Sequence, residues 1–131
     1  MIFKDFTIIG PDSINAAHGA HCANDQERFW DYHDILYNNW TGENNGWASS
    51  DNLLKFAQEI NLDVNQWSEC MIDSKYSQLI IDSSNDARSL EITGTPAFFV
   101  IGQDNEITKI NGAQPYENFE RIFNLELQKL T

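Results

Sequence analysis

Pro96 stands at the head of an apolar run, Ala97-Phe98-Phe99-Val100-Ile101, and follows Thr93-Gly94-Thr95 directly. Proline has no N–H to give a strand ladder, so the strand must begin at this residue or lie on an open edge. Gly94 supplies loose backbone just before it. An X-Pro bond is cis in only about one folded case in twenty, so residue chemistry alone favours a trans bond here.

The period of the apolar residues sets the rest of the order. Ile2 to Ile9 is rich in Phe and Ile, alternates imperfectly, and stops at Gly10-Pro11, the pattern of a mostly buried strand. Asp12 or Ser13 is placed to cap a helix through Ala23, and after Asp25 a second helical stretch sets Phe29, His33, Leu36, Tyr37 and Trp40 on one stripe. Thr41 to Ser49 reads as a loop, and Ser50 or Asp51 then caps a helix carrying Leu53, Phe56, Ala57 and Ile60. Asp63 and Gln66 have capping-box spacing ahead of Trp67, Cys70 and Met71. A further helix from Ser74 to about Leu90 is expected to bury Tyr76, Leu79, Ile80 and Ala87. Beyond it the period turns extended: Ala97 to Ile101 and Glu106 to Ile110 make an antiparallel hairpin around Gly102-Gln103-Asp104-Asn105. Pro115 opens a last helix with Tyr116, Phe119, Ile122, Phe123 and Leu127 on its inner face.

Such an order fits one α/β domain, and 131 residues leave little room for another. Twenty acidic against eight basic residues give a net charge of −12, which repels phosphate backbones and anionic membranes. Nucleic acid is therefore not an expected partner, and no stretch is apolar and long enough to span a bilayer. Met1 to Phe6 has neither the basic nor the apolar region of a secretory signal. A chain that opens inside a strand is expected to be the downstream part of something longer.

Phe3-Lys4-Asp5-Phe6, Ala16-Ala17-His18, Cys22-Ala23-Asn24-Asp25-Gln26 and Phe29-Trp30-Asp31-Tyr32-His33-Asp34 occur in an order that resembles the DsbA-like thiol-disulfide oxidoreductases. Thr93 to Phe99 and Gly112-Ala113-Gln114-Pro115-Tyr116 continue the likeness to nearly the end of the chain. The resemblance implies a thioredoxin-like sheet with a helical insertion at about 12–91, all within a single domain 1–131, and a cis bond before Pro96. It also implies that Thr95 and Pro96 bind an extended peptide through the backbone, adding a strand to the sheet. No Cys-x-x-Cys occurs, although exchange needs a thiolate of lowered pKa and a second, resolving thiol. The strand and helix that carry them in the family are expected upstream of residue 1. Their absence would leave unpaired backbone on each neighbouring strand, to be covered by a missing N-terminal segment or by a second copy exchanging strands.

Cys22 and Cys70 lie on two predicted helices, 48 positions apart, a spacing that is not catalytic. In a chain resembling exported proteins an even cysteine count points to a structural disulfide; two buried thiols and a redox-active pair are the alternatives. His18, His21 and Cys22 fall within one turn and, with Cys70, make a tetrahedral set of four potential metal ligands, but an amphipathic helix whose histidines are surface or half-buried is the plainer reading, and no metal is expected. His33 on the apolar stripe reads as a core histidine. Trp30, Tyr32, Tyr37, Trp40 and Trp47 either line a peptide groove or belong to the core. Asn39-Trp40-Thr41 fits a glycosylation sequon, too common a pattern to carry weight.

The expected function is thus protein-disulfide exchange on extracytoplasmic proteins without a cofactor, this chain being redox-silent alone; a non-catalytic module of the same fold, binding a peptide or a partner, is the other reading. Location outside the cytoplasm rests on the resemblance and leaves a cytoplasmic one open.

Overall fold

The computed structural model describes all 131 residues. Six helices and two strands follow one another: α1 Pro11–Asn24, α2 Phe29–Asn39, α3 Ser50–Glu59, α4 Val64–Ile72, α5 Ser77–Ser89, β1 Ala97–Ile101, β2 Ile107–Asn111 and α6 Tyr116–Gln128. They divide into two compact units, Met1–Ala87 and Arg88–Thr131.

The first unit is a helical bundle packed around α1. Small residues make this possible: Ala16, Ala20 and Ala23 are buried and let α2, α3 and α4 approach. At Gly19 the close approach is to α2. A Cβ there would lie 2.9 Å from Cε1 of Tyr32, whose ring is fully buried. Tyr32 donates its hydroxyl to the Leu53 carbonyl at 2.8 Å and stacks on Trp67, whose indole N–H reaches the Gly19 carbonyl at 3.0 Å. Burial of that hydroxyl among apolar neighbours pushes the Tyr32 pKa upward. Cys22 and Cys70 are joined in a disulfide that fastens α1 to α4, with Cα atoms 5.8 Å apart.

Local capping follows the sequence in part. Asp63 accepts from the Gln66 N–H at 3.1 Å, as its spacing predicts, but Gln66 does not return the bond. Gln26 does so instead: its side chain accepts from Asp63 N–H at 2.8 Å and donates to the Asp63 carbonyl at 3.0 Å, tying the turn after α1 to the start of α4. Ser49, rather than Ser50 or Asp51, caps α3 through Asn52 N–H. Gly10 takes the cap position of α1 that Asp12 or Ser13 was expected to hold. Asp12 is buried and accepts from Gly46 N–H at 2.7 Å, so its carboxylate secures the loop between α2 and α3.

Ile2 to Ile9 does not form the expected strand; the sheet holds only β1 and β2. A run of β-favouring residues becomes a strand only where another strand takes up its backbone groups, and this segment is held by side chains instead. Asp5 meets His21 Nε2 at 2.5 Å, Lys4 pairs with Asp86, and Thr7 bonds the Ser84 hydroxyl through its N–H at 3.2 Å and its own hydroxyl at 3.1 Å. Ser84 is accordingly buried on α5, as is Ser83 beside it, where Leu79 was expected; Leu79 is exposed.

His18 sits in the same layer, buried, with Nε2 accepting the Tyr76 N–H at 3.2 Å. Burial, and secondarily the neighbouring His21, hold its pKa below 6.5. The unfolded chain therefore binds this proton more readily than the folded one, and stability is full above pH 6.5 and falls as pH drops through the lower folded value. Melting measured between pH 7 and 5 should decline by at most about 1.4 kcal/mol per pH unit from this group, and His18→Gln, which keeps an acceptor but does not titrate, should flatten the decline.

In the second unit β1 and β2 pair antiparallel with Ala97 opposite Asn111 and Ile101 opposite Ile107. Phe98 packs edge-on against Phe119 of α6, centroids 5.0 Å apart. The inner face expected of α6 is only half covered: none of its residues is buried, and Tyr116, Phe123 and Leu127 are all exposed.

Candidate peptide-binding site

The backbone around Pro96 is laid out by one hydrogen bond. Gly112 N–H donates to the Pro96 carbonyl at 2.9 Å, which continues the ladder by one residue and turns the even-numbered positions toward β2. Gly102, at the other end, obeys the same parity, its N–H reaching the Glu106 carbonyl at 2.9 Å. Ala97, Phe99 and Ile101 therefore direct their N–H and C=O groups to the opposite edge, where no strand pairs with them. The Thr95-Pro96 bond is cis. Thr95 is exposed and its backbone groups make no hydrogen bond.

Chemistry along this edge is uniform. From Ile92 to Gln103 no residue carries a charge, in a chain whose net charge is −12. Phe99 and Ile101 point to one face with Ile107, all exposed, while the Lys109 ammonium lies 5.9 Å from the Phe99 ring centroid. An edge without lysine or a central proline is open to an incoming strand.

The remaining sequence candidates lie elsewhere. The sulfurs of Cys22 and Cys70 are bonded to each other, and no free cysteine remains for exchange or for a metal. His18 and His21 are engaged with Tyr76 and Asp5. His33 is half-buried and bonds Asp34 at 3.0 Å, its ring set between Phe3 and Tyr37 at 5.4 and 4.6 Å. Of the aromatic residues proposed for a groove, Tyr32 is core, whereas Trp30, Tyr37 and Trp40 are exposed. Sequence reasoning passed over Asp25: it accepts from the Tyr76 hydroxyl and from Lys75. Burial opposes its ionisation, but these two bonds outweigh that and hold the carboxyl below its ordinary range. Asp25 and Tyr76 lie 51 positions apart, so no local spacing marks them.

A family model, the DSBA-like thioredoxin domain, matches residues 3–124. The chain belongs to this family. Among curated relatives, a probable disulfide bond formation protein D of Bacillus cereus is 28% identical over 134 residues, covering 98% of this chain and 58% of that protein. Over 97 residues the DsbA-like chain is also 31% identical to Na(+)/H(+) antiporter NhaA 1 of Salinispora arenicola, 74% of this chain but 14% of that protein. No helix here is long and apolar enough to cross a membrane. Among solved structures, the thiol-disulfide exchange protein alpha-DsbA2 of Wolbachia pipientis is similar with a TM-score of 0.73 and 26% identity, over 99% of this chain and 64% of that one. The chain thus spans less than two thirds of each of these relatives. The DsbA-like thioredoxin fold with its helical insertion is the fold that the family resemblance implied.

Proposed function

We propose that this DsbA-like chain serves thiol-disulfide exchange on extracytoplasmic proteins by holding the substrate polypeptide extended along the outer edge of β1, from Thr95 and Pro96 onward. The observation that carries the proposal is the unengaged backbone of Thr95, Ala97, Phe99 and Ile101 on an uncharged edge. In the exchange itself a thiolate attacks a disulfide sulfur and expels the other sulfur of that bond, and the second thiol of the attacking pair then bonds to the first and expels the partner's remaining sulfur from the mixed disulfide, so that two electrons and two protons pass from the dithiol to the disulfide. Both cysteines of this chain are already spent on each other inside the bundle, Cys22 fully buried. The reactive pair therefore comes from outside these 131 residues, and the chain supplies binding and alignment. Residues 1–131 act as a single thioredoxin-like domain in this proposal. A segment or a second copy bearing a strand has the same edge open to it.

Two substitutions test the edge. Pro in place of Phe99 removes an outward N–H and sets a ring across the path of an added strand, so binding of a labelled extended peptide should weaken about tenfold or more. Val100→Pro removes a ladder bond on the β2 side and should instead disrupt the hairpin itself. Equal peptide binding by wild type and Phe99→Pro would remove the proposal. In an insulin-reduction assay with dithiothreitol the chain alone should show no turnover above background. Turnover that disappears with Cys22→Ser would reassign the disulfide as catalytic.

A further inference from the structure

We propose that the cleft between the N-terminal segment and the start of α2 binds a single cationic side chain, arginine in preference to lysine, from another polypeptide. The cleft measures about 260 Å³, and Phe3, Phe29 and Trp30 form its aromatic wall while Glu27 stands at its rim. Sites for drug-sized molecules run from roughly 300 Å³ upward, so this one suits a side chain.

Its aromatic wall is built from ring-on-ring contacts. The Phe3 ring lies 5.3 Å from Phe29 and 6.0 Å, edge-on, from Trp30; Phe29 meets Trp30 edge-on at 5.0 Å. Trp30 is 43% exposed, which leaves ring surface open to a ligand. Ring faces carry negative electrostatic potential and attract a cation, most strongly the face of tryptophan.

The charge pattern points to the same ligand. The Glu27 carboxylate, exposed, has neither an ion-pair nor a hydrogen-bond partner. Of the nearby cationic side chains, Arg28 is committed to Asp31, Lys75 to Asp25 and Lys4 to Asp86, His21 on the cleft wall is bonded to Asp5, and the Met1 amino group, which also lines the cleft, makes no ion pair with Glu27. An unanswered carboxylate beside three rings, on a chain of net charge −12, selects a cation over an anion or a neutral group. A planar guanidinium stacks on an aromatic face while its N–H groups reach a carboxylate, which an ammonium does less well. The inference does not depend on the β1 edge, and either can fail without the other.

The test is titration of the ¹⁵N-labelled chain with a blocked peptide carrying one arginine, against the same peptide with citrulline, which keeps the shape and loses the charge. The Trp30 indole signal should shift saturably with a millimolar dissociation constant, of about the size expected for one side chain. Citrulline should bind at least about fivefold more weakly, and Trp30→Ala and Glu27→Gln should each weaken the arginine peptide several-fold. Added salt should weaken it further. Both positions are exposed, so these variants keep the fold. Equal shifts with citrulline, unchanged binding by Trp30→Ala, or no saturation would each overturn the proposal.

Discussion

Replacing Cys22 and Cys70 together by serine should lower the unfolding free energy by about 4 kcal/mol, measured as the difference between urea titrations of the oxidised wild type and the double variant. The disulfide closes a loop across a separation of 48 residues, and the loss of chain entropy in the unfolded state for a loop of that length gives the figure. The same bond joins α1 to α4, the two helices that carry Gly19 and Trp67, so its loss also loosens the contact on which Tyr32 is seated. Cys22 is fully buried, and reduction by dithiothreitol should proceed only as the bundle opens. A change below about 1 kcal/mol would mean that the unfolded chain is already compact enough for the bond to restrict it little.

Tyr32→Ala should cost about 3–5 kcal/mol, because a buried ring is deleted and the surrounding helices close the space only in part. Tyr32→Phe isolates the hydroxyl: the Leu53 carbonyl loses its donor, and about 1–2 kcal/mol should follow. Gly19→Ala approaches the same ring from the other side. Its added methyl meets Tyr32 at 2.9 Å, and both partners are held, one by helix backbone and one by the Leu53 bond, so about 1–3 kcal/mol is expected from overpacking. Thermal or urea unfolding of the three variants, compared with an exposed control such as Tyr37→Ala, checks the order. Tyr32→Ala no worse than Tyr37→Ala would contradict the placement of Tyr32 at the centre of the bundle.

Helix positions were legible in the sequence because caps and apolar periods are local. The Asp63 cap, the loop over residues 40–48 and the hairpin at residues 97–111 all follow from residue types within a few positions of one another. What α2 buries was not legible. Its apolar stripe runs through Phe29, His33, Leu36, Tyr37 and Trp40, yet of these only Leu36 is buried, and Tyr32, off the stripe, is sealed in where Gly19 on α1 leaves room for its ring. The burial of Ser84, on the helix where Leu79 was expected inside, likewise has a distant cause: Thr7, 77 positions earlier, bonds it, and no local pattern announces that partner. The segment 2–9 shows the limit of β-propensity: Phe and Ile favour a strand, but a ladder is a property of two chains of backbone, and a sequence reports only one. At the candidate site the proline's missing donor placed Pro96 at the start of a strand and the family resemblance gave Thr95 and Pro96 their expected role, whereas the parity that aims Ala97 and Phe99 outward came only with the Gly112 to Pro96 bond.

Hydrogen exchange at single amides tests the central claim most directly. In the free chain the N–H groups of Thr95, Ala97, Phe99 and Ile101 face no acceptor and should exchange quickly, while those of Phe98 and Val100 are protected by β2. Addition of an extended peptide should slow Ala97 and Phe99, with Thr95 beside them, and leave the α6 amides unchanged. Uniform rates along β1 in the presence of saturating peptide, or protection that appears only in the helical unit, would contradict it.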